Sequence, residues 1–294
     1  MQSKRTVFSN RALPYMLLAP QLAVTAIFFL WPAAQAFRQS FLREDAFGFS
    51  TQFVWFDNYM RLFQSASYLN SMAVTAVFAT SVAVLSIVIA LALAVAANGM
   101  IRSQQTYSTL IIWPYAVAPA VAGVMWWFMF NPTIGILSYL MRQAGYNWNH
   151  GLDGTDAMIL VVIASSWKQI SYNFLFFLAG LHAIPRSLTE AAAIDGAGPI
   201  KRFFTITLPL LSPTTFFLVV VNVVYAMFDT FAVIHATTEG GPNQATNILV
   251  YKVFDDGFIG LNLGSSAAQS VILMAIVTVF TFIQFRYIER RVEY

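Results

Sequence analysis

The chain has 294 residues, a formal net charge of +3, 58% hydrophobic residues and only 10% charged ones. A water-facing domain carries about 25% charged residues, so most of this surface faces something other than water. The small net charge excludes a phosphate-neutralising nucleic-acid surface, and the absence of cysteine excludes a disulfide framework or a thiolate metal site.

Six apolar stretches follow one another: residues 12–37, 69–97, 107–130, 157–184, 208–234 and 263–285. They hold 157 of the 294 residues but only two of the 29 charged side chains, Lys168 and Asp229. Each exceeds the roughly 20 helical residues that cross a hydrocarbon core. Backbone groups in lipid must bond to one another, which leaves helices or a closed barrel, and runs such as residues 82–97 lack the alternation of barrel strands. The expectation is an all-α polytopic membrane protein with six transmembrane helices, forming a single domain over residues 1–294. The first stretch follows Lys4 and Arg5, and Ala34-Gln35-Ala36 resembles a signal-peptidase site. Its apolar part exceeds the usual 7–15 or so residues of a signal peptide, so it reads as the first helix.

Six spans put both termini on one side. Lys4, Arg5, Arg11, Arg102, Arg186, Lys201, Arg202, Arg286, Arg290 and Arg291 gather there, against Arg38, Arg43, Arg61, Arg142 and Lys252 opposite. Ten basic residues against five place both termini in the cytoplasm. In the first outer loop, Trp55, Phe56, Tyr59 and Phe63 suit the membrane interface or a short surface helix. Pro114, Pro119, Pro209 and Pro213 predict bends in the third and fifth spans, and Trp31, Trp126 and Trp127 read as interface anchors. The run Glu239-Gly240-Gly241-Pro242-Asn243 in the last outer loop is a turn signal.

Lys168 and Asp229 each cost about 2.5–3.5 kcal/mol at a helix centre and should face the bundle or a wet cavity. Ser165, Lys168 and Tyr172 share one face of the fourth span, as Asn222, Tyr225 and Asp229 do on the fifth. Two readings stay open. Lys168 and Asp229 pair with each other or cap backbone groups; or Lys168, Gln169, Tyr172, Asn173, Asn222, Tyr225 and Asp229 line a polar pathway, with the lysine attracting a phosphate dianion.

The cytoplasmic loop, residues 185–209, is the most informative segment. Pro185 and Ser187 suit a helix start, Glu190 favours its early turns, and Gly196, Gly198 and Pro199 end it. The result is a small ridge on which alanines and Gly196 permit close approach, while Glu190 and Asp195 offer charge. A solvated connector would look similar. No phosphate-binding glycine loop and no zinc spacing of histidines is present, and no hydroxyl stands beside an evident base. The chain therefore reads as non-catalytic.

The order Glu190-Ala191-Ala192, three residues, Gly196, nine residues, then Ile206-x-Leu208-Pro209 resembles the EAA loop of permease subunits in binding-protein-dependent ABC importers. Leu178-Ala179-Gly180-Leu181, Ile184-Pro185 and Gly240-Gly241-Pro242 are similar to its carbohydrate-permease branch. Within that branch, Trp113-Pro114-Tyr115, Trp167-Lys168-Gln169 and Gln284-Phe285-Arg286-Tyr287 resemble sn-glycerol-3-phosphate permeases. The resemblance implies a type I importer permease fold in a bacterial inner membrane. It implies a second permease subunit, two ATPase subunits that bind ATP and magnesium, a periplasmic or extracellular substrate-binding protein, and no cofactor or metal in this chain. The implied cargo is sn-glycerol-3-phosphate or glycerophosphodiesters, with a neutral sugar or oligosaccharide as the alternative. It makes residues 185–209 the coupling loop. Glu190 is then a charged anchor, Ala191, Ala192, Gly196 and Ala197 the close contacts beside Asp195, and Ile206, Leu208 and Pro209 the residues that set re-entry into the bilayer. A gradient-driven transporter or a pore-less scaffold are rivals that would need no such loop.

Overall fold

A computed structural model describes residues 13–44, 50–99 and 104–288, with only the backbone of 287 and 288. Lys4, Arg5, Arg11, Arg102, Arg290 and Arg291, six of the fifteen basic residues used for orientation, lie outside the described residues.

The first helix, α1 (Leu13–Gln39), is apolar over most of its length and has no buried residue. It leans on the rest of the chain only through its last turns, against the final helix. A hairpin follows, β1 (Leu42–Glu44) antiparallel to β2 (Thr51–Phe53), which departs from an all-α chain. It is held by Asn58, whose amide donates to the Ser40 and Leu42 carbonyls at 2.8 and 2.9 Å. Asn58 belongs to α2 (Asp57–Gln64), the short surface helix expected near Trp55 and Phe63.

The core is a pair of long helices. In α3 (Ala66–Asn98), Ser71, Thr75, Ala79, Ala83, Ser86, Ala90, Ala94 and Ala97 are buried at spacings of three and four. Small side chains on one face let two backbones approach, which is how helices associate where no hydrophobic force separates them from lipid. That face receives the 30-residue helix α7 (Gly154–Ala183), whose start is capped by the Asp153 carboxylate accepting from the Thr155 and Asp156 N–H groups. Phe174, Phe177 and Leu181 of α7 fill the space over Ala90, Ala94 and Ala97.

Between them in sequence run α4 (Gln104–Ala116), α5 (Pro119–Met129) and the outer helix α6 (Ile136–Gln143). The predicted bend is a break: α4 and α5 meet at 101°. Beyond α7 come α8 (Arg186–Ile194), α9 (Pro199–Leu210) and α10 (Ser212–Phe228), with a second break of 66° between the last two. The fifth stretch does not run on to residue 234: the helix stops at Phe228, and α11 (Phe231–Thr237) starts anew. Finally α12 (Leu249–Phe254) lies in the outer loop and α13 (Leu263–Arg286) closes the bundle, packing Ala268 and Leu273 against Tyr68, Met227 and Leu249.

By length and apolarity, α1, α3 and α13 each suffice to cross a membrane, and the two bent pairs bring the number to five. Helix α7 is long enough, but Ser165, Ser166, Lys168, Gln169, Ser171, Tyr172 and Asn173 interrupt its apolar run.

Candidate functional site

The expected ridge is α8, and its end is fixed by one glycine. Gly196 has φ +80°, a left-handed conformation that glycine adopts without steric cost. Its N–H donates to the Ala193 carbonyl at 3.1 Å, and the Ala197 N–H donates to the Ala192 carbonyl at 2.9 Å. These two bonds make a Schellman cap, so three residues of the coupling set, Ala192, Gly196 and Ala197, close the helix together. A Cβ at 196 would meet nothing of this chain within 4 Å. The glycine is required by backbone conformation, and the space beside it is open.

Nothing on α8 is buried. Glu190, Ala191, Asp195 and Gly196 are exposed, and Ala192 and Ala197 half-exposed. Sequence reasoning passed over two apolar neighbours: Ile194 is 87% and Ile200 74% exposed. Their signal was present, since branched aliphatics on a small helix between two apolar stretches have no reason to face water. Arg202 steadies the ridge by donating to the Thr189 carbonyl at 3.1 Å, which ties α9 back to α8. Ile206, Leu208 and Pro209 lie half-buried on α9, where the chain turns toward α10.

The polar residues of α7 and α10 separate into two groups. Asn173 and Asn222 are both fully buried and exchange two side-chain hydrogen bonds, at 3.0 and 2.8 Å; the Asn222 amide also donates to the Leu218 carbonyl at 2.7 Å. They clamp α7 to α10. Two turns away, Gly180 makes the same approach possible, because a Cβ there would come within 2.9 Å of Leu211.

The second group serves the break in the third stretch. Pro114 and Pro119 have no N–H, and Ala118, which precedes a proline, is driven to extended backbone (ψ 141°). Carbonyls freed at such a break need donors from neighbouring helices. Lys168 Nζ donates to the Val117 carbonyl, and Ser171 Oγ to the Ile111 carbonyl at 2.6 Å. The ammonium also stands 6.0 Å from the centre of the Tyr115 ring, in cation–π range, and Tyr115 lies 5.7 Å from Tyr172. Lys168 is therefore a cap on backbone, not half of an ion pair with Asp229. Asp229 is exposed just past the end of α10. Tyr225 is half-buried and donates to the Ser165 carbonyl at 3.2 Å, and Gln169 is buried on the same helix as Lys168. Ser171 was missed by sequence reasoning, although it lies three residues from Lys168 on the same face.

Among the described residues, no group of three or more His, Cys, Asp or Glu side chains is placed to hold a metal ion. Polar cavities lie around Lys252, whose ammonium is 3.1 Å from Asp256. In the outer loop before α7, burial pushes the His150 imidazole below its ordinary value, partly offset by the Phe130 carbonyl and Asp156.

Residues 5–294 match the family model described as "Binding-protein-dependent transport system inner membrane component". The chain is 60% identical, over 294 residues and the full length of both chains, to the sn-glycerol-3-phosphate transport system permease protein UgpA of Agrobacterium fabrum. It is 59% identical over 291 residues, 99% of each chain, to that of Rhizobium meliloti, and 55% over 294 residues and all of both chains to that of Escherichia coli. In fold it is similar to a chain in the crystal structure of a bacterial ABC transporter involved in the import of the acidic polysaccharide alginate. That match has a TM-score of 0.79 at 19% identity and covers 94% of this chain and 96% of that one. A matched chain from the same kind of transporter, in complex with an alginate pentasaccharide-bound periplasmic protein, gives 0.78 at 20% identity over 92% of each. With apolar helices and a family match over nearly its whole length, the chain belongs to the inner membrane components of binding-protein-dependent transport systems.

Proposed function

We propose that this chain is a permease subunit of an ABC importer for sn-glycerol-3-phosphate or glycerophosphodiesters. In this reading six helices cross the inner membrane with both termini cytoplasmic, α7 being the sixth crossing. Its polar residues do not prevent this, because they face α3, α10 and the broken third span, not lipid. A second permease subunit completes the pore, and a substrate-binding protein delivers cargo from outside. Two ATPase subunits bind ATP and magnesium and supply the energy, so this subunit is non-catalytic.

The observation that carries the mechanism is the Schellman-capped helix α8, which has no buried residue and is joined to α7 through only Ile184 and Pro185. When the ATPase pair closes on nucleotide, the ridge docked on it moves as a lever. Helix α7, clamped to α10 by the asparagine pair and to the broken third span by Lys168 and Ser171, carries those elements with it. The outcome is a rigid-body switch between inward- and outward-facing states. Glu190 anchors the ridge to a basic side chain, Ala191, Ala192, Gly196 and Ala197 give close contact beside Asp195, and Ile194 and Ile200 add apolar area. Ile206, Leu208 and Pro209 set the angle at which the lever re-enters the bilayer. Tyr172, Tyr225, Gln169 and Asp229 line the polar path, while Lys168, Asn173 and Asn222 hold it in shape.

The cargo assignment rests on the likeness, at 55–60% identity over the whole chain, to permeases named for sn-glycerol-3-phosphate. Its test is ATP-driven uptake of sn-glycerol-3-phosphate by proteoliposomes holding the full complex, with maltose as the neutral-sugar control. Uptake of the phosphate ester alone is expected; uptake of only the neutral sugar would overturn the assignment.

A further inference from the structure

The outer face carries a cavity of about 400 Å³ beside the N-terminal end of α3, between the 239–247 loop and α12, with an unusual balance of polar groups. Glu239, Asp255 and Asp256 line it, and the one cation in its wall, Lys252, is engaged by Asp256 at 3.1 Å. Among the described residues neither Glu239 nor Asp255 belongs to an ion pair. With three carboxylates against one ammonium, the wall carries a net charge of −2.

A second observation is independent of the carboxylates. Asn247 lines the same cavity and is 5% exposed, and its Oδ1 is buried without a hydrogen-bond partner. A buried acceptor left unpaired is destabilising, so this carbonyl oxygen calls for a donor. The rim is well determined. Gln244 accepts from Ser67 through its side chain at 2.7 Å and from Asn70 through its backbone at 3.5 Å, and Thr238 and Thr246 share a hydrogen bond at 2.7 Å. The floor is Tyr251, whose phenol is pushed up by burial and by the carboxylates of Glu239 and Asp255. The negative groups thus converge on one side of the cavity.

An acceptor-rich, negatively charged and open cavity fits a donor that carries positive charge and no acceptor, which describes guanidinium and ammonium groups. A phosphate ester is excluded by sign, so this cavity is not a station on the cargo's path.

We propose that this cavity is the socket for an arginine or lysine side chain of the substrate-binding protein, with Glu239 and Asp255 supplying charge and Asn247 Oδ1 a hydrogen-bond acceptor. The inference rests on the importer reading, which puts the binding protein on this face. The socket steers and orients the incoming protein, an effect carried mostly by the association rate and sensitive to salt.

The test uses the complete importer in lipid nanodiscs with its purified binding protein. Docking is measured by surface binding, and binding-protein-stimulated ATP hydrolysis is followed in parallel. Glu239→Gln with Asp255→Asn is expected to weaken docking about tenfold at low salt, with a flatter salt dependence, since removal of complementary charge slows encounter by about that much or more. Basal hydrolysis stays unchanged, and excess binding protein restores stimulation. Asn247→Leu, which removes the acceptor at similar volume, is expected to speed dissociation. Unchanged docking and salt dependence in the double variant would overturn the proposal. So would a wild-type docking strength that rises with calcium and loses that rise in the double variant, because the cavity would then be a metal site. If the wild-type complex answers to no binding protein at all, the importer reading fails instead.

Discussion

Helices α7 and α8 are separated by two residues, Ile184 and Pro185, yet they are built in opposite ways. On α7 the side chains facing α3 and α10 are buried, and Lys168, Ser171 and Asn173 find partners inside the chain: asparagine with asparagine, lysine and serine with the carbonyls of a broken helix. On α8 no residue is buried, and even Ile194 is exposed. In the proposed reading the long helix carries stability, whereas the short one carries a contact that its own chain cannot complete. A substitution in α7 should therefore show first in folding, and one in α8 in coupling.

The widest separation is expected from Gly196→Asp. A side chain there meets nothing within the chain, so the folding cost is limited to the left-handed conformation, about 1–2 kcal/mol. Uptake should fall at least about tenfold at normal membrane levels, equivalent to about 1.4 kcal/mol of coupling. Normal uptake at normal assembly would break the distinction between the two helices.

Lys168→Met comes next, with the opposite signature. It strips the Val117 carbonyl of its donor, and an orphaned buried acceptor costs about 1–3 kcal/mol, read as a lower unfolding temperature in detergent. Lys168→Gln keeps an N–H donor and should recover part of the loss. If the methionine variant left both stability and transport untouched, Lys168 would be neither cap nor path residue.

Asn173→Leu should cost about 1 kcal/mol by leaving Asn222 Oδ1 without its donor, and the double change with Asn222→Leu should cost less than the sum of the single changes. Interhelical hydrogen bonds in membranes couple by about 0.6 kcal/mol on average, up to about 1.7. Additive single effects would show that the pair is incidental to the lever.

The smallest effect lies outside the membrane. Burial lowers the His150 value in the folded chain below 6.5, so the unfolded chain holds more protons between the two values and stability rises with pH there. The contribution is present above about 6.5 and is lost as pH falls from there through the lowered folded value. Thermal unfolding followed from pH 7.5 to 5 should show this decline, and His150→Gln should flatten it.

The sequence made the frame legible because charge exclusion is a strong signal. Residues 69–97 were expected as a helix and Ala66–Asn98 forms one; for 263–285 the helix is Leu263–Arg286. The prolines located both breaks, but not their angles, which depend on which neighbouring donors take up the freed carbonyls. Periodicity placed Lys168 and Asn222 on inward faces and could not say with whom they pair, since the partners lie 51 and 49 residues away. The β1–β2 hairpin escaped notice because strands of three residues are too short for alternation to show. For the ridge, the Glu190-to-Pro209 pattern was enough to locate it, and the Gly196 cap was readable from the glycine alone.

The central claim is that α8 carries force from ATPase subunits into a bundle that has no energy source of its own. The most direct measurement compares proteoliposomes holding the complete complex with vesicles holding only this chain and its partner permease, loaded with ATP and given sn-glycerol-3-phosphate and binding protein outside. The account predicts accumulation in the first and none in the second, with Gly196→Asp reducing the first to the second while ATP hydrolysis persists. Accumulation without the ATPase subunits would contradict it.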